Sequence, residues 1–148
     1  MDLAQVMPFA EVLGIELVSS TPEEVRARVA WDPSRCTSGG VLHGGVLMGL
    51  ADSVGGTCAF LNLPQGAAGT ATIESKTNFL RPVRDGHVDA VARPLHVGRS
   101  TIVVDTELYD AGGRLVGRTT QTQAVIPGMS SSSAARMRQL GQAFLSAW

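Results

Sequence analysis

Apolar and polar positions alternate along this chain in two different periods, and the switches between them outline its elements. Residues 3 to 13 form a short amphipathic run that stops before Gly14, which predicts a small N-terminal helix. "IELVSS" and "EVRARVAW" then read as two strands about the turn "TPEE", with Val25, Ala27, Val29 and Trp31 alternating against Arg26 and Arg28. "DPSRCTSGG" is loop by composition and leads into "HGGVLMGLADSVGGTCAF", residues 43 to 60, whose apolar positions recur at helical spacing. Beyond the turn-rich "NLPQGAAG" come three β-type segments, "TATIESKTNFL", "HVDAVARPLHV" and "STIVVDTELYD". A fourth, "RLVGRTTQTQAVI", follows the turn "DAGGR", where Gly112 and Gly113 suit a tight hairpin. Pro94 implies an edge or a bulge in its segment. In "STIVVDTELYD" one face carries Ile102, Val104, Thr106 and Leu108, and the other, with Thr101, Val103, Asp105 and Glu107, is expected to be wet. "PGMSSSS" at 127–133 reads as a linker and 134–148 as a terminal helix presenting Met137, Leu140, Phe144 and Leu145. The sum is an α+β fold in which one antiparallel sheet of five or six strands wraps a long helix to bury its apolar stripe.

Length and composition narrow this picture. With 148 residues the chain is one domain, and 44% hydrophobic against 17% charged residues is enough for a substantial core. A net charge of -1 gives no footprint for nucleic acid or an anionic membrane surface. The amino end lacks the basic-then-apolar pattern of a signal peptide, and no segment approaches the ~20 apolar residues that span a bilayer. A cytoplasmic address is expected, with Cys36 and Cys58 reduced. His87 and His96 have no Cys, His or carboxylate neighbours at metal spacing, and neither a phosphate loop nor a dinucleotide fingerprint occurs, so no metal or cofactor is expected.

The helix of residues 43 to 60 is the informative element. Gly49, Gly55 and Gly56 in its interior cost roughly 1 kcal/mol each against alanine. On a helical projection Leu47, Leu50, Val54, Cys58 and Leu61 form a core stripe. Gly45, Gly49, Asp52, Gly56 and Ala59 form a second, slim one, which would let a backbone or a ligand approach, with Asp52 as its sole functional group. The unpaired N–H groups of a helix start, here at His43-Gly44-Gly45, suit an oxyanion. His43 and Asp52 lie roughly 13 Å apart along the axis and on nearly opposite sides. One helix cannot bring both to one carbonyl, whereas two copies about a dyad can, which predicts a dimer with shared sites.

The run "LHGGVLMGLAD" together with "NFLRP" at 78–82 resembles the hotdog-fold acyl-CoA thioesterases, in particular the branch related to phenylacetate-pathway thioesterases. The resemblance spans about residues 10 to 126. It implies a helix wrapped by a sheet, two subunits joined edge to edge, and dimers paired into tetramers. It further implies that the Gly44 amide polarises a thioester carbonyl and that Asp52 of the facing subunit is the nucleophile or the base for water. His43 would order the loop and substrate, and Thr72 would help to place water or substrate. Members of that family often carry Asn or Gln six residues before the histidine, where this chain has the shorter Thr37. Gly45 belongs to the same motif. Arg81, Arg84, Arg93 and Arg99 are candidates for the phosphates of coenzyme A, with Arg81 and Arg99 foremost.

The reading is an acyl- or aryl-CoA thioesterase with water as co-substrate, coenzyme A entering only as part of the substrate. A non-catalytic protein holding an acyl or aromatic ligand in the same cleft is the alternative, and Thr37 is its support. A hotdog dehydratase ranks below both.

Overall fold

The computed structural model describes residues 7–128 and the single position 139. Positions 3–6 of the expected first helix, most of the expected linker and the expected helix over 134–148 lie outside the described residues. Helix α1 (Pro8–Leu13) has proline in its first turn and closes on Gly14 at φ 67°, the left-handed stop that a glycine tolerates. Strands β1 (Ile15–Ser20) and β2 (Val25–Ala30) make the expected hairpin. A single 3-10 turn, Pro33–Arg35, precedes the long helix α2 (Gly44–Leu61). Then come β3 (Ala67–Phe79), β4 (His87–Val97), β5 (Thr101–Asp110) and β6 (Leu115–Pro127). β3 begins inside the stretch expected to be a loop, because Ala67 and Gly69 already pair with Pro127 and Ile126 of β6.

All pairings are antiparallel and the six strands run in the order β1-β2-β4-β5-β6-β3. β3 follows the helix in sequence but takes the outer place beside β6, so it is an edge strand of 13 residues. Leu50, Val54 and Cys58 of α2 are fully buried against Val25, Val29, Val88, Ile102, Val104 and Leu108 of the sheet. This helix embraced by a curved antiparallel sheet is the hotdog fold.

Three expectations need correcting. With 18 residues, α2 is long and apolar enough by length and composition alone to cross a bilayer, contrary to the sequence reading. More than half of it is buried in the molecule, however, so its apolar character is used by the sheet. The second correction concerns the supposedly wet face of β5, where Asp105 is only 8% exposed. Arg118 and Thr120 on β6 donate to it, and Arg28–Asp89 and Arg93–Glu107 extend the ion-pair layer across neighbouring strands, so long charged side chains lie flat over the sheet. Thirdly, the slim stripe of α2 is only partly open, as described below. Pro94 satisfies both readings offered for it. β2 pairs with β4 no further than Ala92, which leaves the proline beyond that ladder, and the register with β5 slips between Pro94 and His96.

Candidate active site

The amino end of α2 is held by a loop tied to the sheet. Leu42 N–H donates to Val83 O (2.8 Å) and His43 N–H to Arg35 O (2.9 Å), while Trp31 Nε1 and Arg84 Nη1 donate to Gly40 O and Gly39 O. His43 is the N-cap residue, and its Nδ1 accepts from Gly45 N–H at 2.8 Å. With Nδ1 accepting, the ring's N–H is on Nε2. The same bond uses the Gly45 amide. No described residue accepts from Gly44 N–H, the first of the helix, so this amide is the one left to bind an oxyanion.

Gly44 opens onto a cleft of about 520 Å³, together with Thr37, Leu47, Phe79, Leu80 and Arg81. The Phe79 ring lies so close that a Cβ on Gly44 would stand 3.0 Å from its Cζ. Val41, Leu42, Pro82 and Val83 complete walls that are mostly apolar. Thus Thr37, Gly44 and Arg81, three of the residues singled out in the sequence, share one hollow, and the Arg81 guanidinium is anchored on Leu115 O.

Asp52 lies two turns further along α2 and is exposed, but it is not loose. Its Oδ1 accepts from Thr72 Oγ1 of β3 at 3.2 Å and from Gln121 Nε2 of β6 at 3.0 Å. Thr72 Oγ1 in turn accepts from Gln123 Nε2 (2.8 Å), whose Oε1 accepts from Thr70 Oγ1 (2.8 Å). The register of β3 against β6 shifts between Thr72 and Glu74, so a bulge re-aims the strand beside the acid. Gln121 and Gln123, each 1% exposed, were not singled out in the sequence. The signal was the in-phase pair in "TTQTQAV". It was masked because both faces of that segment are polar there, and hydrophobicity then fails to say which points inward.

The small residues of α2 serve different neighbours. Leu13 of α1 occupies the space beside Gly49, where a Cβ would sit 2.5 Å from its Cδ1, and Ala59 is fully buried. Gly55 faces Gln121, and Gly56 faces open space. The core thiol of Cys58 is pushed by burial up to about 11, so it is inert as a nucleophile. Arg93 is removed from the coenzyme A candidates, since it pairs with Glu24 and Glu107 on the outer face of the sheet. Arg99 is exposed at the β4–β5 tip, next to Ser100, whose carbonyl accepts from Val125 N–H. It therefore lies toward the start of β3, at the opposite end of that strand from Arg81. Among the described residues no group of three His, Cys, Asp or Glu side chains is placed to hold a metal.

A family profile described as "Thioesterase superfamily" matches residues 39–117. The chain is 35% identical over 116 residues to "Putative esterase ComA2" of Bacillus subtilis, covering 78% of this chain and 92% of that protein. It is 34% identical over 87 residues to "1,4-dihydroxy-2-naphthoyl-CoA hydrolase" of Escherichia coli, covering 59% and 63% respectively. The solved structure of "a putative esterase Rv1847/MT1895" from Mycobacterium tuberculosis superposes with a TM-score of 0.81 at 27% identity, covering 84% of this chain and all of that one.

Proposed function

The chain belongs to the thioesterase superfamily and is a thioester hydrolase, and from that premise we propose that it cleaves an acyl- or aryl-CoA thioester at sites shared by two copies of the chain. The observation that carries this reading is the placement of the two functional ends along β3. Asp52 is bonded to Thr72, and Gly44 packs against Phe79, seven positions further on. Both flank a strand whose outer edge has no partner among the described residues. Within one chain they are separated by roughly 12 Å of helix.

Antiparallel pairing of β3 with its copy, about an axis through Lys76 and with the bulged Ile73 left out of the count, would set Thr72 opposite the partner's Phe79. Asp52 of one subunit then approaches Gly44 of the other. The same register brings Arg99 toward the partner's Arg81, two groups that one chain holds roughly 33 Å apart along the strand. The exposed edge, with Ile73 63% and Phe79 52% uncovered, is the kind of surface a sheet extension would cover. Pairing of two such dimers into a tetramer belongs to the same reading.

At such a site the thioester oxygen would accept from Gly44 N–H while the Oδ2 atom of Asp52 faces the carbonyl carbon. Two routes use that oxygen. It can take a proton from water, whose oxygen bonds to the carbon, or it can bond to the carbon itself and give an anhydride that water then opens. In both, negative charge moves to the carbonyl oxygen, the C–S bond breaks, and the thiolate of coenzyme A takes up one proton. The apolar cleft with Phe79 suits the acyl or aryl group, and the similarity to a naphthoyl-CoA hydrolase supports the aromatic option. Arg81 and Arg99 supply charge for the phosphates.

Thiol release from benzoyl-, phenylacetyl- and hexanoyl-CoA tests this. Asp52→Ala is expected to lower kcat by about 10³ or more, as losing a nucleophile or base does. Equal rates in variant and wild type would end the reading.

A further inference from the structure

We propose that Gln121 is a positioning residue for Asp52, holding its carboxylate so that Oδ1 is tied down and Oδ2 alone meets the substrate. The inference rests on Asp52 being the reacting acid. A carboxylate at the end of a short side chain has two equivalent oxygens, and either can be presented. Here two donors, Thr72 Oγ1 and Gln121 Nε2, converge on the same oxygen, and no described donor reaches the other. Convergence breaks the equivalence.

What marks Gln121 as more than a core amide is its other end. Gln121 is 1% exposed, and its Oε1 has no hydrogen-bond partner among the described residues. That oxygen points at α2, where a Cβ on Gly55 would stand 1.9 Å away, so the helix gives up a side chain to admit the amide. A buried unpaired carbonyl oxygen destabilises a fold, and an apolar side chain of equal length would remove that cost. Gln123 provides the contrast. Its two ends are both satisfied, by Thr72 and Thr70, as befits a structural amide that also aims the Thr72 hydroxyl at Asp52. Gln121 keeps a group the core does not need, and among the described residues the one bond its amide makes is to Asp52.

The test uses the full chain with Gln121→Met, Gln121→Glu and Asp52→Asn, followed by thiol release from whichever of benzoyl-, phenylacetyl- or hexanoyl-CoA the wild type turns over, and by thermal melting. Gln121→Met is expected to melt at or above the wild-type temperature while kcat falls about tenfold or more and KM stays within about twofold, the loss expected for one hydrogen bond to a charged group. For Gln121→Glu, activity relative to wild type is expected to rise as pH falls, because the introduced carboxyl group can donate to Asp52 only when protonated. A merely structural amide would give neither result. Wild-type kcat in Gln121→Met, or a ratio for Gln121→Glu that does not change with pH, overturns the proposal. Should Gln121→Met fold poorly, the pH dependence of Gln121→Glu decides alone. Asp52→Asn separates the two levels: if it is as active as wild type, the site reading fails. If it is inactive while Gln121→Met is fully active, only the positioning role fails.

Discussion

Gly55 and Gln121 meet as a pair, and their contact can be tested at the level of single atoms. A methyl group at position 55 would overlap Gln121 Oε1, which is buried, so the amide would have to leave its place against the helix. Gly55→Ala is therefore expected to destabilise the fold by about 1–3 kcal/mol, the usual cost of overpacking, despite the better helix propensity of alanine. Adding Gln121→Ser should return most of that stability by opening the space, a coupling that urea titrations of the two single variants and the double variant would measure. Activity should not return, since the shorter hydroxyl cannot reach Asp52. Independent, additive effects would mean that the close approach of helix and strand is not what fixes a glycine here. The neighbouring Gly49 answers to a different residue, Leu13, and Gly56 to none among those described. One slim stripe in the sequence thus resolves into separate local requirements.

Among the elements, the β5–β6 hairpin is set by Asp110, whose carboxylate accepts from the backbone N–H groups of Gly112 and Arg114 and from Arg114 Nε. Those bonds, the backbone one from Arg114 foremost, hold its carboxyl below the usual carboxylate range. A group with a lowered folded-state pKa contributes stability above its unfolded value, about 3.9, and loses it as pH falls through the folded value. The deficit of Asp110→Ala in urea midpoint should accordingly be full at pH 6 and shrink as pH falls below about 4. A deficit independent of pH would assign the turn to Gly112 and Gly113 alone. This hairpin was legible in "DAGGR", as were α2, the six strands and the acid on a glycine-bearing face, because each follows from local period or turn chemistry. The inward face of β6 was not legible. Leu115, Gly117, Thr119, Gln121 and Gln123 alternate with Val116, Arg118, Thr120, Thr122 and Ala124, and neither set is apolar enough to name the core side. The choice is made by α2, whose Gly55 leaves room for the amide, and only the packed structure brings those positions together. The bulge at Thr72 was hidden for a similar reason: the extra residue, Ile73, is β-branched and apolar like any strand residue.

At the scale of the molecule, the proposed sharing of a site between two chains makes a demand that a single-chain site does not. Gly44→Pro removes the one helix-start amide without a partner among the described residues, at a backbone position that suits proline, and Gly44→Ala controls for the added contact with Phe79. The residue before position 44 already has the extended backbone (φ -64°, ψ 136°) that a following proline requires. The helix should persist, and kcat should fall about 10²–10³ with loss of the oxyanion donor. Asp52→Ala removes the other half of the chemistry. If each site takes its amide from one subunit and its acid from the other, a mixed dimer of the two variants has one doubly defective site and one intact site. Equimolar mixing after dissociation and reassociation should then restore about a quarter of wild-type activity, since half of the dimers are mixed and half of their sites are whole. Sites confined to a single chain would leave the mixture as inactive as its components. Because the mixing experiment alters no residue on the β3 edge, any recovery reports directly on Asp52 and Gly44 meeting across the interface.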